Sequence, residues 1–148
     1  MEARMQNRLK NNLGLLGWLS GGRYGAERYA YALHRLSGLG ILAYFLMHIF
    51  VTGSRVRGPE SWESWMAFFS TPLFKTGEFL VFLAFAYHAV NGIRLILVEL
   101  GYMVGKPGLP SYPYNYSTLR QRPLFVVVMV LAAVLMIIGG VDFYHMMK

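Results

Sequence analysis

Three stretches of this chain, at about residues 29–52, 74–102 and 124–144, are apolar over more than twenty residues each and carry few charges. The hydrocarbon core of a bilayer is about 30 Å thick, which about 20 helical residues cross. The expected fold is therefore all-α and integral to the membrane, with three transmembrane helices behind a short interfacial N-terminal segment. Composition agrees: 55% of the 148 residues are hydrophobic and 14% charged, and the mean hydropathy is +0.40. Ordinary soluble domains do not carry that much apolar surface.

The 14 Lys and Arg against 7 Asp and Glu give a formal net charge of +7, which raises nucleic-acid binding as a class. Such a protein would have nowhere to put three long apolar spans, so no nucleic-acid partner is expected. The basic residues sit instead at the ends of the spans. Arg4, Arg8, Lys10, Arg23, Arg28, Lys106, Arg120 and Arg122 fall on one side, and Arg55, Arg57, Lys75 and Lys148 on the other. By the positive-inside rule the N-terminus is expected in the cytoplasm and the C-terminus outside, in a bacterial or archaeal cytoplasmic membrane. With no Cys there is no disulfide framework and no thiolate ligand, so any metal chemistry runs through His, Met or carboxylates.

Residues 1–28 read as a cytoplasmic and interfacial segment, in which a basic head precedes Leu13, Leu15, Leu16 and Trp18; a signal peptide is not expected. Residues 29–148 form the membrane domain. Its first connection, GSRVRGPESWESWMAFFSTP, carries Trp62, Trp65, Met66 and Phe69 at helical spacing, as an amphipathic piece in the headgroup region would. The second, GKPGLPSYPYNYSTLRQRP, is rich in Pro, Gly and Tyr and is expected to be a loop.

Ionisable groups inside a membrane are costly enough that each is a functional candidate. Here they are His34, Arg35, His48, His88, Arg94 and Glu99, with Asp142 near the end of the third span. Arg35 and Arg94 are expected to mark the cytoplasmic ends of the first two spans, where long basic side chains reach the interface. A single buried His often does no more than bond the carbonyl of a neighbouring helix. The combination points further. Neutral imidazole ligates haem iron, and haem propionates leaving the hydrocarbon are met by cations near a membrane face. His88 and Arg94, six residues apart, supply both on one helix, and Gly92, one turn from His88, leaves room for a flat macrocycle or, equally, for close packing of another helix.

Two motifs carry a family resemblance. ALHRLSG (residues 32–38) resembles the motif that opens the first membrane helix of the cytochrome b membrane anchors of succinate:quinone oxidoreductases, and YHAVNGIRLILVELG (residues 87–101) resembles that of their second helix. The resemblance covers roughly residues 28–145. It implies His88 as an axial haem b ligand, Arg35 at the ubiquinone or menaquinone pocket and near the propionates, and His34 as a propionate neighbour; Arg94, from its place on the helix of His88, is the further candidate cation for a propionate. Ser37 and Tyr31 are weaker quinone contacts, Tyr31 standing where some members carry a Ser. Leu95 replaces a His found in some members, and Glu99 keeps a carboxylate where Asp is common. His48 stands where anchors of two haems have a His and single-haem members usually do not. Counted from the two Arg markers, His48 and His88 differ in depth by roughly 10 Å at helical rise, too much for one iron.

What the resemblance implies is a membrane anchor of complex II, the succinate dehydrogenase complex, holding one haem b or two. It would work with a second anchor subunit that supplies the opposite His ligands, completing a larger helical bundle, and with iron–sulfur and flavoprotein subunits, where succinate is oxidised. Nothing in this chain would bind succinate. The alternatives are the anchor of a quinol:fumarate reductase, and a non-redox helical assembly or transporter subunit in which the same residues only hold helices together.

Overall fold

The structure is a computed structural model that describes residues 26–103, 105 and 120–147. Among these residues there are no strands. Helix α1 (Ala26–Gly53) runs on into a 3-10 turn, Ser54–Arg57, and is followed by α2 (Pro59–Phe69), α3 (Pro72–Glu99) and α4 (Arg122–Met147). Two compact units divide the chain, Met1–Leu33 and His34–Lys148. The membrane site lies within the second. The expected interfacial segment falls outside the described residues except for its last three, which are helical, and so does most of the second connection.

The helix boundaries follow from backbone chemistry. Gly58 adopts φ 107°, which breaks the path out of the 3-10 turn. Pro59 and Pro72 then open α2 and α3, where the missing N–H costs nothing and the fixed φ is already helical. Helix α3 stops at Glu99, three residues before the end expected from hydropathy, because Gly101 takes φ 84°. The N–H of Gly101 donates to the Val98 carbonyl and that of Tyr102 to Leu97, both at 3.0 Å, the paired bonds of a left-handed glycine stop.

Three of the described segments are long and apolar enough to cross a bilayer: Ala26–Arg57, Pro72–Glu99 and Arg122–Met147. Their large side chains stay outward. Leu39, Leu42, Phe45, Leu46 and Ile49 of α1 are all more than half exposed, as a face for lipid or another subunit requires and a water-facing one would not tolerate. The protein is an integral membrane protein.

Helices α3 and α4 form an antiparallel hairpin. Val90, Val128 and Ala132 make its buried centre, with Leu124, Met129 and Met136 packed around them. Toward the far end Phe79 stacks on Phe143 with ring centroids 5.0 Å apart, and the Phe82 ring lies directly on Gly139, where any side chain would collide with it. Small residues allow such close approach in a medium that offers helices no hydrophobic drive to associate. The amphipathic helix expected in the first connection is α2. Its Trp65 meets Phe50 of α1 edge-on at 6.1 Å and stacks on Phe69, which contacts Phe74 of α3 at 4.8 Å. Arg55 lies over the Trp62 ring at 4.2 Å.

Candidate functional site

The two motifs meet. His34 of α1 and His88 of α3 stack face to face, with centroids 3.9 Å apart and planes within 8°. The helices that carry them run in opposite directions, and each His sits over a glycine of the other. A Cβ on Gly38 would fall 2.8 Å from Cε1 of His88, and one on Gly92 would fall 3.3 Å from Cε1 of His34. His34 and Gly38 are four residues apart, as are His88 and Gly92, so the same H-x3-G spacing on two antiparallel helices produces a local two-fold interlock.

Hydrogen bonds then orient His88. Its Nδ1 lies 3.0 Å from the His34 carbonyl oxygen and 3.2 Å from Ser37 Oγ, while Ser37 Oγ donates to that same carbonyl at 2.9 Å. A carbonyl only accepts, so Nδ1 carries the proton. In the neutral imidazole Nε2 then keeps its lone pair, and among the described residues nothing bonds to it. That is the form in which His binds a metal, with the second nitrogen held by an acceptor. His34 contributes a different vacancy: its own Nδ1 is buried and has no hydrogen-bond partner among the described residues. Among those residues no three His, Cys, Asp or Glu side chains cluster. The one nitrogen that His88 presents, with its other nitrogen held by a carbonyl, is the kind of donor a haem takes from a single helix. The residues present therefore fit a haem on His88.

Arg94 departs from expectation. It does not reach outward from the helix end but is 2% exposed, on the side of α3 that faces α4. Its Nε donates to Asn91 Oδ1 at 3.0 Å and its Nη1 to Gln121 Oε1 at 3.3 Å, and its guanidinium lies over the Phe125 ring at 5.2 Å. Buried in lipid-facing structure, the guanidinium finds partners on its own helix and at the residue just before α4 instead of lengthening toward water. Asn91, a polar residue in the second apolar span, is fully buried and accepts from Arg94 Nε at its Oδ1. Arg35, by contrast, is exposed on α1 next to His34. Ser37 is buried and bonded as described, and Tyr31, in the N-terminal unit, is 51% exposed.

His48 lies apart. Since His88 is level with His34 and Gly38, His48 is ten to fourteen residues further along α1, roughly 15–21 Å at 1.5 Å per residue. The 10 Å expected from the Arg markers is too small, because the two arginines do not share a depth: pairing residue 34 with 92 and 38 with 88 sets Arg94 about three residues, roughly 5 Å, from the level of Arg35 toward the start of α1. His48 is exposed, lies 5.9 Å from the Tyr44 ring, and lines a cavity of about 540 Å³ with Met47, Trp62, Phe69 and Glu78. Glu99 and Asp142 are exposed near helix ends, and Met129 and Met136 pack in the α3–α4 seam.

Comparison with known proteins gives two findings. Residues 4–137 match the succinate dehydrogenase/fumarate reductase transmembrane subunit family. The chain is also similar to the succinate dehydrogenase 2 membrane subunit SdhC of Mycobacterium tuberculosis, 28% identical over 71 residues. That alignment takes in 48% of this chain and 52% of the relative, so the chain spans about half the length of the curated protein it matches. With the family match covering the first two membrane helices and more than half of the third, the chain belongs to the transmembrane subunits of succinate dehydrogenase and fumarate reductase.

Proposed function

We propose that this chain is the cytochrome b anchor subunit of a succinate:quinone oxidoreductase, complex II, with His88 as an axial ligand of haem b. The observation that carries the proposal is the state of the His88 imidazole: Nδ1–H held by the His34 carbonyl, Nε2 left with an open lone pair, in an apolar interhelical setting. Bound there, the haem supplies a one-electron store beside the quinone site. The chain's own residues do the rest. The unpartnered Nδ1 of His34 supports a place beside a propionate, and Arg35, exposed on the neighbouring turn, supplies a cation for a propionate and a donor for a quinone carbonyl. Tyr31 is the further quinone contact. Arg94, bonded to Asn91 and Gln121, adds positive charge on the same helix as His88, about 9 Å toward the cytoplasmic end.

The axial ligand opposite His88 comes from a second anchor subunit. If the complex holds a second haem, His48 is its ligand in this chain, too far along α1 to serve the first. Iron–sulfur and flavoprotein subunits dock on the basic cytoplasmic side and deliver electrons from succinate to ubiquinone or menaquinone. The N-terminus is cytoplasmic and the C-terminus outside, in a prokaryotic cytoplasmic membrane.

The test is the haem-to-protein ratio of the detergent-purified native complex, measured by pyridine haemochrome for the parent, His88→Ala and His48→Ala. The parent is expected to hold b-type haem and His88→Ala to lose one equivalent. Full haem content in His88→Ala would refute the assignment. Loss of a further equivalent in His48→Ala, from a parent with two, identifies the second ligand.

A further inference from the structure

Ser37 was expected to face a quinone, yet its hydroxyl is already engaged. It is buried, gives its only proton to the His34 carbonyl at 2.9 Å, and stands 3.2 Å from Nδ1 of His88. With the proton directed at the carbonyl, a lone pair of Oγ is what Nδ1–H meets. The N–H of His88 is therefore shared between two acceptors, the His34 carbonyl and Ser37 Oγ, both on α1, and these two are bonded to each other. To donate to a quinone, Ser37 would have to release that carbonyl.

We infer that Ser37 is a positioning residue for His88: with the His34 carbonyl it forms a closed triangle of hydrogen bonds that fixes the imidazole's tautomer and tunes the electron density at Nε2. The inference rests on His88 being a haem ligand. An acceptor on the far nitrogen draws the N–H bond toward itself and makes the ligating nitrogen more basic. A more basic axial nitrogen favours the ferric over the ferrous state, so hydrogen bonding at this second nitrogen is a lever on the haem potential. Removing one of two acceptors should move the potential upward.

The experiment is a redox titration of the haem in the detergent-purified complex carrying the parent chain, Ser37→Ala or Ser37→Thr. Ser37→Ala is expected to raise the midpoint potential, seen as a fall of about three- to tenfold in the ferric-to-ferrous ratio at fixed ambient potential, the size of one hydrogen bond. Quinone KM is expected to stay at the parent value. Ser37→Thr restores the hydroxyl and should restore the potential. Should the Ala complex fail to assemble, Ser37→Cys, a poor acceptor, is titrated instead with the same upward shift expected. An unchanged potential in the hydroxyl-free variant, or a shift that Thr does not reverse, overturns the role of Ser37 while leaving His88 a ligand. A parent complex without haem overturns both.

Discussion

Gly38→Ala tests the interlock directly. The added Cβ would lie 2.8 Å from Cε1 and 3.3 Å from Nδ1 of His88, whereas carbon atoms rest comfortably at about 3.5–4.0 Å. The imidazole must back away from α1 by roughly 0.7 Å or more. Its hydrogen-bond acceptors, the His34 carbonyl and Ser37 Oγ, are both on α1, so the 3.0 Å bond stretches to about 3.7 Å and is lost. One hydrogen bond contributes about 1 kcal/mol, and residual overpacking costs at least about 1 kcal/mol more. A penalty of about 2 kcal/mol corresponds to roughly thirtyfold. Transfer of haem from the solubilised complex to excess apomyoglobin should therefore run about thirtyfold faster in Gly38→Ala. Gly92→Ala is the control. Its Cβ would meet only Cε1 of His34, at 3.3 Å, and no hydrogen bond of the His34 ring stands to be broken. Its transfer rate should stay within about threefold of the parent, the allowance for a ring that yields a few tenths of an ångström. A Gly38→Ala complex that keeps the parent rate, or a Gly92→Ala complex just as fast as Gly38→Ala, would refute the geometry.

Other expectations concern the rest of the bundle. Gly139→Ala drives a methyl into the Phe82 ring and should lower the unfolding free energy in detergent by about 1–3 kcal/mol, with Phe82→Leu recovering part of it in the double variant; no loss of stability would show that the α3–α4 seam is looser than described. Arg94→Lys cannot reproduce the separate Nε and Nη1 bonds, so it should destabilise the chain almost as much as Arg94→Leu, by about 1–3 kcal/mol for the stranded Asn91 and Gln121 groups. Thermal denaturation of the purified complex reads both, and full stability in the Lys variant would contradict the fork geometry. Arg35→Gln should cut quinone reduction about ten- to hundredfold, as loss of one charged hydrogen bond does, while haem content is unchanged; parallel loss of haem would place Arg35 with the propionates alone.

The three spans were legible because the bilayer imposes a length, and few water-soluble designs need twenty apolar residues in a row. What hydropathy could not supply was the glycine stop at Gly101, a matter of one backbone angle, or the depth relation between α1 and α3. Depth was counted from Arg35 and Arg94 as if both marked one surface. Antiparallel packing pairs His88 with His34 and carries Arg94 past them into the α4 interface. Arg94 misled for a physical reason: composition reveals that a charge is in a span, but not whether a neighbour such as Asn91 or Gln121 is there to receive it. The bond from the Ser37 hydroxyl to the carbonyl three residues earlier on the same helix is likewise a matter of side-chain rotamer, which hydropathy does not register. One signal was available and overlooked, the recurrence of H-x3-G at residues 34–38 and 88–92, which hydropathy windows cannot register.

That recurrence makes four positions into one inherited character. A chain that replaces His88 by a smaller residue frees position 38 to take a side chain, and the loss of His34 relaxes position 92 in the same way, so neither glycine can be judged from its own column of an alignment. Relatives should vary at these sites in diagonal pairs, 34 with 92 and 38 with 88, across more than fifty residues of intervening sequence. Where a lineage gives up the imidazole, the first trace of it should be a glycine filling in on the opposite helix.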